Sequence, residues 1–179
     1  MQDQLQRIAN KLRARQVALR PALSEEEVGA FEARHGVALP ADYRAFLITL
    51  GNGGVGPPHY GLVPLGAGPS DGPPDERAFW SALPQVREPF PFTRPWVWEA
   101  DEVSNEGTWE DVRRGSLYLG TEGCGMNWHL VLTGPESGVS WQLTGEGIAP
   151  VMPRRSFLQW YEDWLDGRDS FYGCQENTA

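Results

Sequence analysis

The sequence predicts an α+β fold, because helix patterns come first, strand patterns follow, and a last helix pattern comes near the end. Apolar residues recur at helical spacing in three segments before residue 51 and again after Pro153. Between residues 116 and 143, short runs rich in Val, Leu, Trp and Tyr are bounded by glycine, which is typical of strands. The 179 residues show no internal repeat or long linker. We therefore expect one domain over residues 1–179.

Two amphipathic helices are expected at the start of the chain. The first covers about residues 1–17, where apolar side chains lie three and four positions apart. These side chains are Leu5, Ile8 and Leu12. The second begins at a capping box, in which the Ser24 hydroxyl accepts from the Glu27 amide while the Glu27 carboxylate reaches back. Gly36 supplies a left-handed end to this helix.

A third helix is expected to begin at Pro40, since proline is tolerated in the first turn. Its core-facing residues are Tyr43, Phe46, Leu47 and Leu50. A glycine-rich turn at residues 51–54, which needs positive φ angles, ends it. The last helix follows Pro153 and is ended by Gly167. Its apolar stripe consists of Phe157, Leu158, Tyr161, Trp164 and Leu165.

The middle of the chain is rich in turn-forming residues. We expect a short strand at 60–65, a flexible loop at 66–76 and one or two helical turns at 78–83. Residues 84–95 are studded with proline and should be irregular, or at best an edge strand.

Three strands are predicted after this stretch, at residues 116–120, 127–133 and 139–143. The last two are joined by residues 134–138, Gly-Pro-Glu-Ser-Gly, which form a hairpin turn.

The overall charge limits the classes of partner. A formal charge of −9 and a pI near 4.8 disfavour nucleic acid, which needs a basic surface. The same charge suits a basic protein partner, or serves solubility alone. The polar start of the chain does not resemble a signal peptide, and no apolar run is long enough for a membrane span. We therefore predict a cytoplasmic protein.

Candidate catalytic and metal-binding groups are few. His35, His59 and His129 have no His or Cys at metal-ligand spacing, and Cys124 and Cys174 are far apart. Neither a nearby base nor a helix N-terminus is evident that would activate Cys124. We expect structural roles for these residues, and neither a metal nor another cofactor.

The strongest candidate for a binding surface is an acidic segment that carries tryptophans. Its members are Trp96, Trp98, Glu99, Asp101, Glu102, Glu106, Trp109, Glu110 and Asp111, and Asp71, Asp75 and Glu76 extend it on the preceding loop. Such a run is most often a solvated surface. Alternatively, its carboxylates attract a basic partner while the tryptophans anchor the interface. A glycan hydrolase using Glu99, Asp101 and Glu102 would need two carboxylates at a defined separation in a cleft, which sequence cannot establish.

Two sets of motifs resemble one known family. The first runs from Leu23-Ser24-Glu25 through Phe31-Glu32, Leu39-Pro40-Ala41-Asp42-Tyr43 and Phe46-Leu47 to Asn52-Gly53-Gly54. The second comprises Gly123-Cys124-Gly125, Leu130-Val131-Leu132-Thr133-Gly134 and Gly138-Val139-Ser140-Trp141. Together they resemble the SMI1/KNR4 (SUKH) family, and residues 157–165 are similar to the C-terminal helix of its bacterial members. The resemblance covers about residues 20–167.

The resemblance implies a central, largely antiparallel sheet packed by N-terminal helices and a C-terminal helix. It also implies a binding protein without catalytic activity of its own. Bacterial members resemble immunity proteins that neutralise polymorphic toxins, whereas fungal members resemble scaffolds in the control of cell-wall glucan synthesis. The leading hypothesis is therefore an immunity protein that binds a basic toxin domain. The alternative is a regulatory module in cell-wall synthesis or signalling.

Overall fold

The computed structural model describes residues 1–83, 85–97 and 111–168. Within this part of the chain, four helices precede a five-stranded antiparallel sheet and a fifth helix follows it. The helices are α1 (Gln2–Ala14), α2 (Glu25–His35), α3 (Ala41–Thr49), α4 (Pro74–Ser81) and α5 (Phe157–Leu165). The strands are β1 (Trp96–Val97), β2 (Ser116–Gly123), β3 (Met126–Val131), β4 (Ser140–Thr144) and β5 (Gly147–Pro150). The predicted α+β class is confirmed.

The sheet has the strand order β1-β5-β4-β3-β2, and each neighbouring pair is antiparallel. Three successive hairpins connect β2 to β5, and the predicted turn between β3 and β4 is one of them. The sequence did not reveal β5 or β1. These strands have only four and two residues, so neither is long enough to produce a recognisable alternation.

The predicted ends of α2 agree with the structure, whereas α1 ends at Ala14, about three residues earlier than predicted. Ser24 Oγ accepts a hydrogen bond of 3.1 Å from the Glu27 amide, and the Glu27 carboxylate accepts one of 2.7 Å from the Ser24 amide. Gly36 ends α2 with a φ of 63°. Ser156 and Gln159 form a second capping box at the start of α5, which the sequence analysis missed. Among the described residues, no helix is both long and apolar enough to cross a membrane.

The segment expected to be a strand at residues 60–65 is not a strand of the sheet. It is held by one isolated bridge, from Leu62 to Gly54, and by a hydrogen bond from the Val63 amide to the Leu119 carbonyl. Gly53 has a φ of 80°, and a side chain there would lie 2.7 Å from the Leu62 and Val63 carbonyl oxygens. The backbone at Gly53 is therefore packed too closely against this segment for any residue but glycine.

Helix α4 begins earlier than predicted. It starts at Pro74, inside the stretch expected to be loop, and ends at Ser81. Proline fits the first helical position, and Asp75 and Glu76 in the first turn favour the positive end of the helix dipole. These start signals were present in the sequence, but the surrounding glycines and prolines favoured a loop.

One face of the sheet packs against α1, α2, α3 and α5. Its strands alternate, so that Leu117, Leu119, Trp128 and Leu130 face these helices. The helices contribute the following buried residues: Leu5, Ile8, Leu12, Val28, Tyr43, Phe46, Leu47, Phe157, Leu158, Trp160, Tyr161 and Leu165. The helical stripes predicted from sequence therefore form the larger part of the core.

The opposite face of the sheet is covered by α4 and by the irregular chain at residues 85–96. Trp80 and Phe90 pack there against sheet residues. The sheet residues of this second cluster are Tyr118, Val131, Trp141, Leu143 and Ile148. Phe90 lies 5.1 Å from Trp141 between ring centroids. The proline-rich stretch thus has a defined role, because it helps to bury a face that α4 covers only in part.

A group of charged side chains joins α1 to α5. Glu162, whose side chain is 9% exposed, accepts two hydrogen bonds of 2.9 Å from Arg7 and one of 2.9 Å from Lys11. Lys11 also donates to Asp166 at 2.8 Å. Hydrogen bonds from Arg7 are the main reason that the pKa of Glu162 is lowered to about 2. The carboxylate is thus charged in the folded protein and stabilises the docking of the first helix on the last.

We expect Glu162→Gln to lower the free energy of unfolding by about 2 kcal/mol, since charge-assisted hydrogen bonds at a buried site are lost. Urea unfolding at neutral pH would measure the change. The matched control is Glu146→Gln, because Glu146 is exposed in the β4–β5 turn. Equal stability of the Glu162→Gln variant and the control would contradict this account.

Candidate functional site

Most of the predicted acidic segment lies outside the described residues. This applies to Trp98, Glu99, Asp101, Glu102, Glu106, Trp109 and Glu110. Their role as partner-binding residues stays a prediction. The carboxylates considered for a glycan hydrolase, Glu99, Asp101 and Glu102, are among them.

The two described ends of that segment both contact the rest of the chain. Trp96 in β1 is half-buried and packs against the second cluster, 6.5 Å from Phe92 between ring centroids. Asp111 is half-buried and lies 3.3 Å from Arg114 in an ion pair. Trp96 and Asp111 are therefore anchored in the fold at the two sides of the acidic segment.

The three acidic residues on the preceding loop are exposed and lie close together in the chain. Asp71 comes just before α4, and Asp75 and Glu76 are in its first turn. The charges of Asp71 and Glu76 reach the buried Tyr118 hydroxyl. Burial is the main cause that raises the pKa of Tyr118 to about 12, and these two carboxylates raise it further. Both carboxylates therefore disfavour the ionised form of Tyr118.

A pocket of about 300 Å³ opens beside these acids, between α4 and the tip of the β2–β3 hairpin. Its lining consists of Glu76, Phe79, Trp80, Gly125 and Asn127. We call it the acid-rimmed pocket. The Phe79 and Trp80 rings meet edge to face at 4.9 Å. Aromatic walls with a few polar groups are typical of binding sites for a side chain or a small ligand.

The position of the pocket follows from the local structure. Trp80 is 5% exposed and packs against Tyr118 and His129 on the second face of the sheet, which holds α4 in place. Asn127 near the start of β3 is 7% exposed. Gly125, with a φ of 75°, is part of the tight hairpin tip. The pocket is therefore built on the sheet and not on a free loop.

Sequence analysis found Glu76 as a candidate but missed Phe79, Trp80 and Asn127. The available signal was the Phe79-Trp80 pair directly after an acidic turn, in a segment too short to interpret as an amphipathic helix. Asn127 carried no signal, because only the pairing of β3 with its neighbours places it opposite α4.

The histidines and Cys124 are in different parts of the fold. His35 stacks near Phe31, His59 is exposed on a loop and His129 is buried in β3. Cys124 is exposed at the hairpin tip with a φ of 51°. In the described part of the chain, no group of three or more His, Cys, Asp or Glu side chains could hold a metal ion.

His129 is a buried titratable group beside the pocket wall. Ser116 Oγ donates to the Val112 carbonyl at 2.6 Å and lies 3.3 Å from His129 Nδ1. Since the hydroxyl hydrogen is used, Ser116 accepts from Nδ1–H, and Nε2 has no hydrogen-bond partner within the described residues. Burial lowers the pKa of His129 to about 3, so the ring is neutral. A structural role for His129 stays a prediction.

Comparison with known protein families gave a match. The sequence model of the SMI1/KNR4 family (SUKH-1) matches residues 22–142, which is more than half of the chain. The chain belongs to the SMI1/KNR4 family. No curated protein and no solved structure matched it.

The match places the acid-rimmed pocket inside the SMI1/KNR4 domain, since all five lining residues lie within residues 22–142. Helices α1 and α5 lie outside the match. They nevertheless contribute to the same core and are tied together through Glu162.

We expect acid to destabilise this SMI1/KNR4 protein partly through His129. The unfolded histidine takes up a proton near pH 6.5, but the buried one does so only near pH 3. Between these values the unfolded state binds more protons, so the free energy of unfolding falls as the pH falls, by at most about 1.4 kcal/mol per pH unit.

The variant His129→Phe should remove this contribution. Urea unfolding between about pH 7 and about pH 4 would show a smaller loss of stability than in the wild type. His59→Gln, at an exposed position, serves as the control and should keep the wild-type slope. An unchanged slope in His129→Phe would contradict the assignment.

Proposed function

We propose that this SMI1/KNR4 protein is a non-enzymatic, cytoplasmic, single-domain binding protein that neutralises a cognate toxin by direct contact. The observation that carries the proposal is the acid-rimmed pocket, in which the exposed Glu76 carboxylate lies beside the aromatic side chains of Phe79 and Trp80 on a helix that packs against the sheet. Membership of a family whose bacterial members resemble immunity proteins supports it. The net charge of −9 supports a basic partner.

Two physical effects would give this binding its speed and its strength. Exposed carboxylates at Asp71, Asp75 and Glu76 would attract a basic protein over a distance of about one Debye length. The aromatic side chains would then supply the desolvated centre of the interface. Because α4 is fixed to the sheet by Trp80, little conformational entropy would be lost on binding.

The first test is co-expression with the protein encoded next to this one. We expect a stable complex and rescue of growth from the toxicity of that neighbour. A neighbour that is not toxic and does not bind would contradict the proposal. If a pull-down returned cell-wall synthesis enzymes or kinases instead, the regulatory alternative would replace it.

The second test concerns the acidic residues. We expect the triple variant Asp71→Asn, Asp75→Asn and Glu76→Gln to slow association with the toxin by about tenfold at low salt, since electrostatic attraction mainly affects the association rate. The difference should shrink as the salt concentration rises from about 0.05 M to about 0.5 M. Stopped-flow or surface-based kinetics would measure both.

A control with the same change in charge separates local from overall effects. The variant Asp3→Asn, Glu26→Gln and Glu146→Gln also removes three exposed carboxylates, on α1, α2 and the β4–β5 turn. It should bind nearly as fast as the wild type. If both triple variants slow association equally, the loop acids have no special role.

A further inference from the structure

One side-chain amide, that of Asn127, lines the pocket. Asn127 is 7% exposed and lines the pocket. Its backbone pairs with Thr121 of β2 and Leu143 of β4. Within residues 1–83, 85–97 and 111–168, its carboxamide takes part in no hydrogen bond. Solvent reaches its amide oxygen and nitrogen, so both are available to a ligand that enters the pocket.

The charge of the lining residues indicates whether the ligand is a cation or an anion. Glu76 is the charged residue of the lining. Arg77 on α4 is exposed and does not line the pocket. Arg113 is buried, donates to the Phe79 carbonyl at 2.7 Å and lies on one face of the Phe79 ring, but it does not line the pocket, so the exposed Glu76 carboxylate is the charge that a ligand meets there. A cation therefore fits the pocket better than an anion.

The aromatic lining determines the shape of the cation. The half-buried Phe79 ring and the edge of the buried Trp80 line the pocket, and aromatic rings attract a positive charge most strongly when it is weakly hydrated and planar. The protein already contains one such contact, because the Arg113 guanidinium lies 3.8 Å from the centre of the Phe79 ring. A guanidinium has five donors in one plane, so it can stack on a ring while donating to an amide oxygen and a carboxylate. A lysine ammonium is compact and strongly hydrated, so it cannot stack on a ring while it donates to both the amide oxygen and the carboxylate.

We propose that the acid-rimmed pocket binds an arginine side chain of the partner protein. The guanidinium donates to Asn127 Oδ1 and to the Glu76 carboxylate, and it stacks against the aromatic wall. At about 300 Å³, the pocket is at the small end of the range for ligand sites and suits one side chain. This inference rests on the proposed function, since it names the group through which the basic partner would be held.

The direct test needs no partner protein. The full chain, labelled with ¹⁵N, is titrated with N-acetyl-arginine methylamide while the Trp80 indole and Asn127 carboxamide signals are followed by NMR. We expect saturable shifts of both signals. The citrulline analogue, which is neutral and has nearly the same shape, should cause none, and the lysine analogue should bind several-fold more weakly. Absence of a saturable shift with arginine, or equal binding of citrulline, would overturn the proposal.

A single substitution tests the role of the rim. Glu76→Gln keeps the size of an exposed side chain, so folding should be unaffected. It should weaken binding of the arginine amide by at least about fivefold, because a charge-assisted hydrogen bond is lost. Glu146→Gln is the matched control and should bind like the wild type. Equal affinities of the two variants would overturn the proposal.

The outcomes separate this inference from the function on which it rests. A toxin bound equally well by the wild type and by Glu76→Gln would overturn the arginine pocket but leave toxin binding intact. A chain that binds the arginine amide specifically but binds no toxin would support the pocket and overturn the proposed function.

Discussion

The structure depends on one requirement, which is that both faces of a five-stranded antiparallel sheet must be buried. An antiparallel sheet can leave one face in water, but here both faces carry large apolar residues. Leu117 and Leu119 point to one side of β2 and Tyr118 to the other, and all three are buried. Burying residues of this size contributes about 1.5–3 kcal/mol each. The chain therefore needs a cover on each side of the sheet.

The two covers are built differently, and this difference produces the candidate site. Four helices with regular apolar stripes fill one side closely. The other side is covered by the short helix α4 and by irregular chain, whose Trp80 and Phe90 reach the sheet. The Phe79 and Trp80 rings of this short helix leave a space between the helix and the tip of the β2–β3 hairpin. The acid-rimmed pocket is such a space, and the exposed first turn of α4 supplies its carboxylate.

The motifs that identify the family and the residues that line the pocket are largely different sets. Gly53 and Gly54 occupy backbone positions where a side chain would collide with neighbouring chain, and Trp141 is fully buried in the second cluster. These residues of the family motifs therefore stabilise the fold. The pocket instead uses α4 and the first residues of β3. The hairpin tip at Gly125 belongs to both sets, because the motif glycine also lines the pocket.

The sequence by itself determined the local features: the helical stripes, the capping box at Ser24, the left-handed turn at Gly36 and the family. The helical features depend on residues within a few positions of one another, and the family on short motifs in a fixed order along the chain, so the sequence alone reveals them. It did not reveal β1, β5 or the pocket, and it wrongly assigned a strand at residues 60–65. Strands of two and four residues are defined by their neighbours in the sheet. Likewise, Glu76 and Asn127 are about 50 positions apart, and only strand pairing and the packing of Trp80 bring them to one pocket.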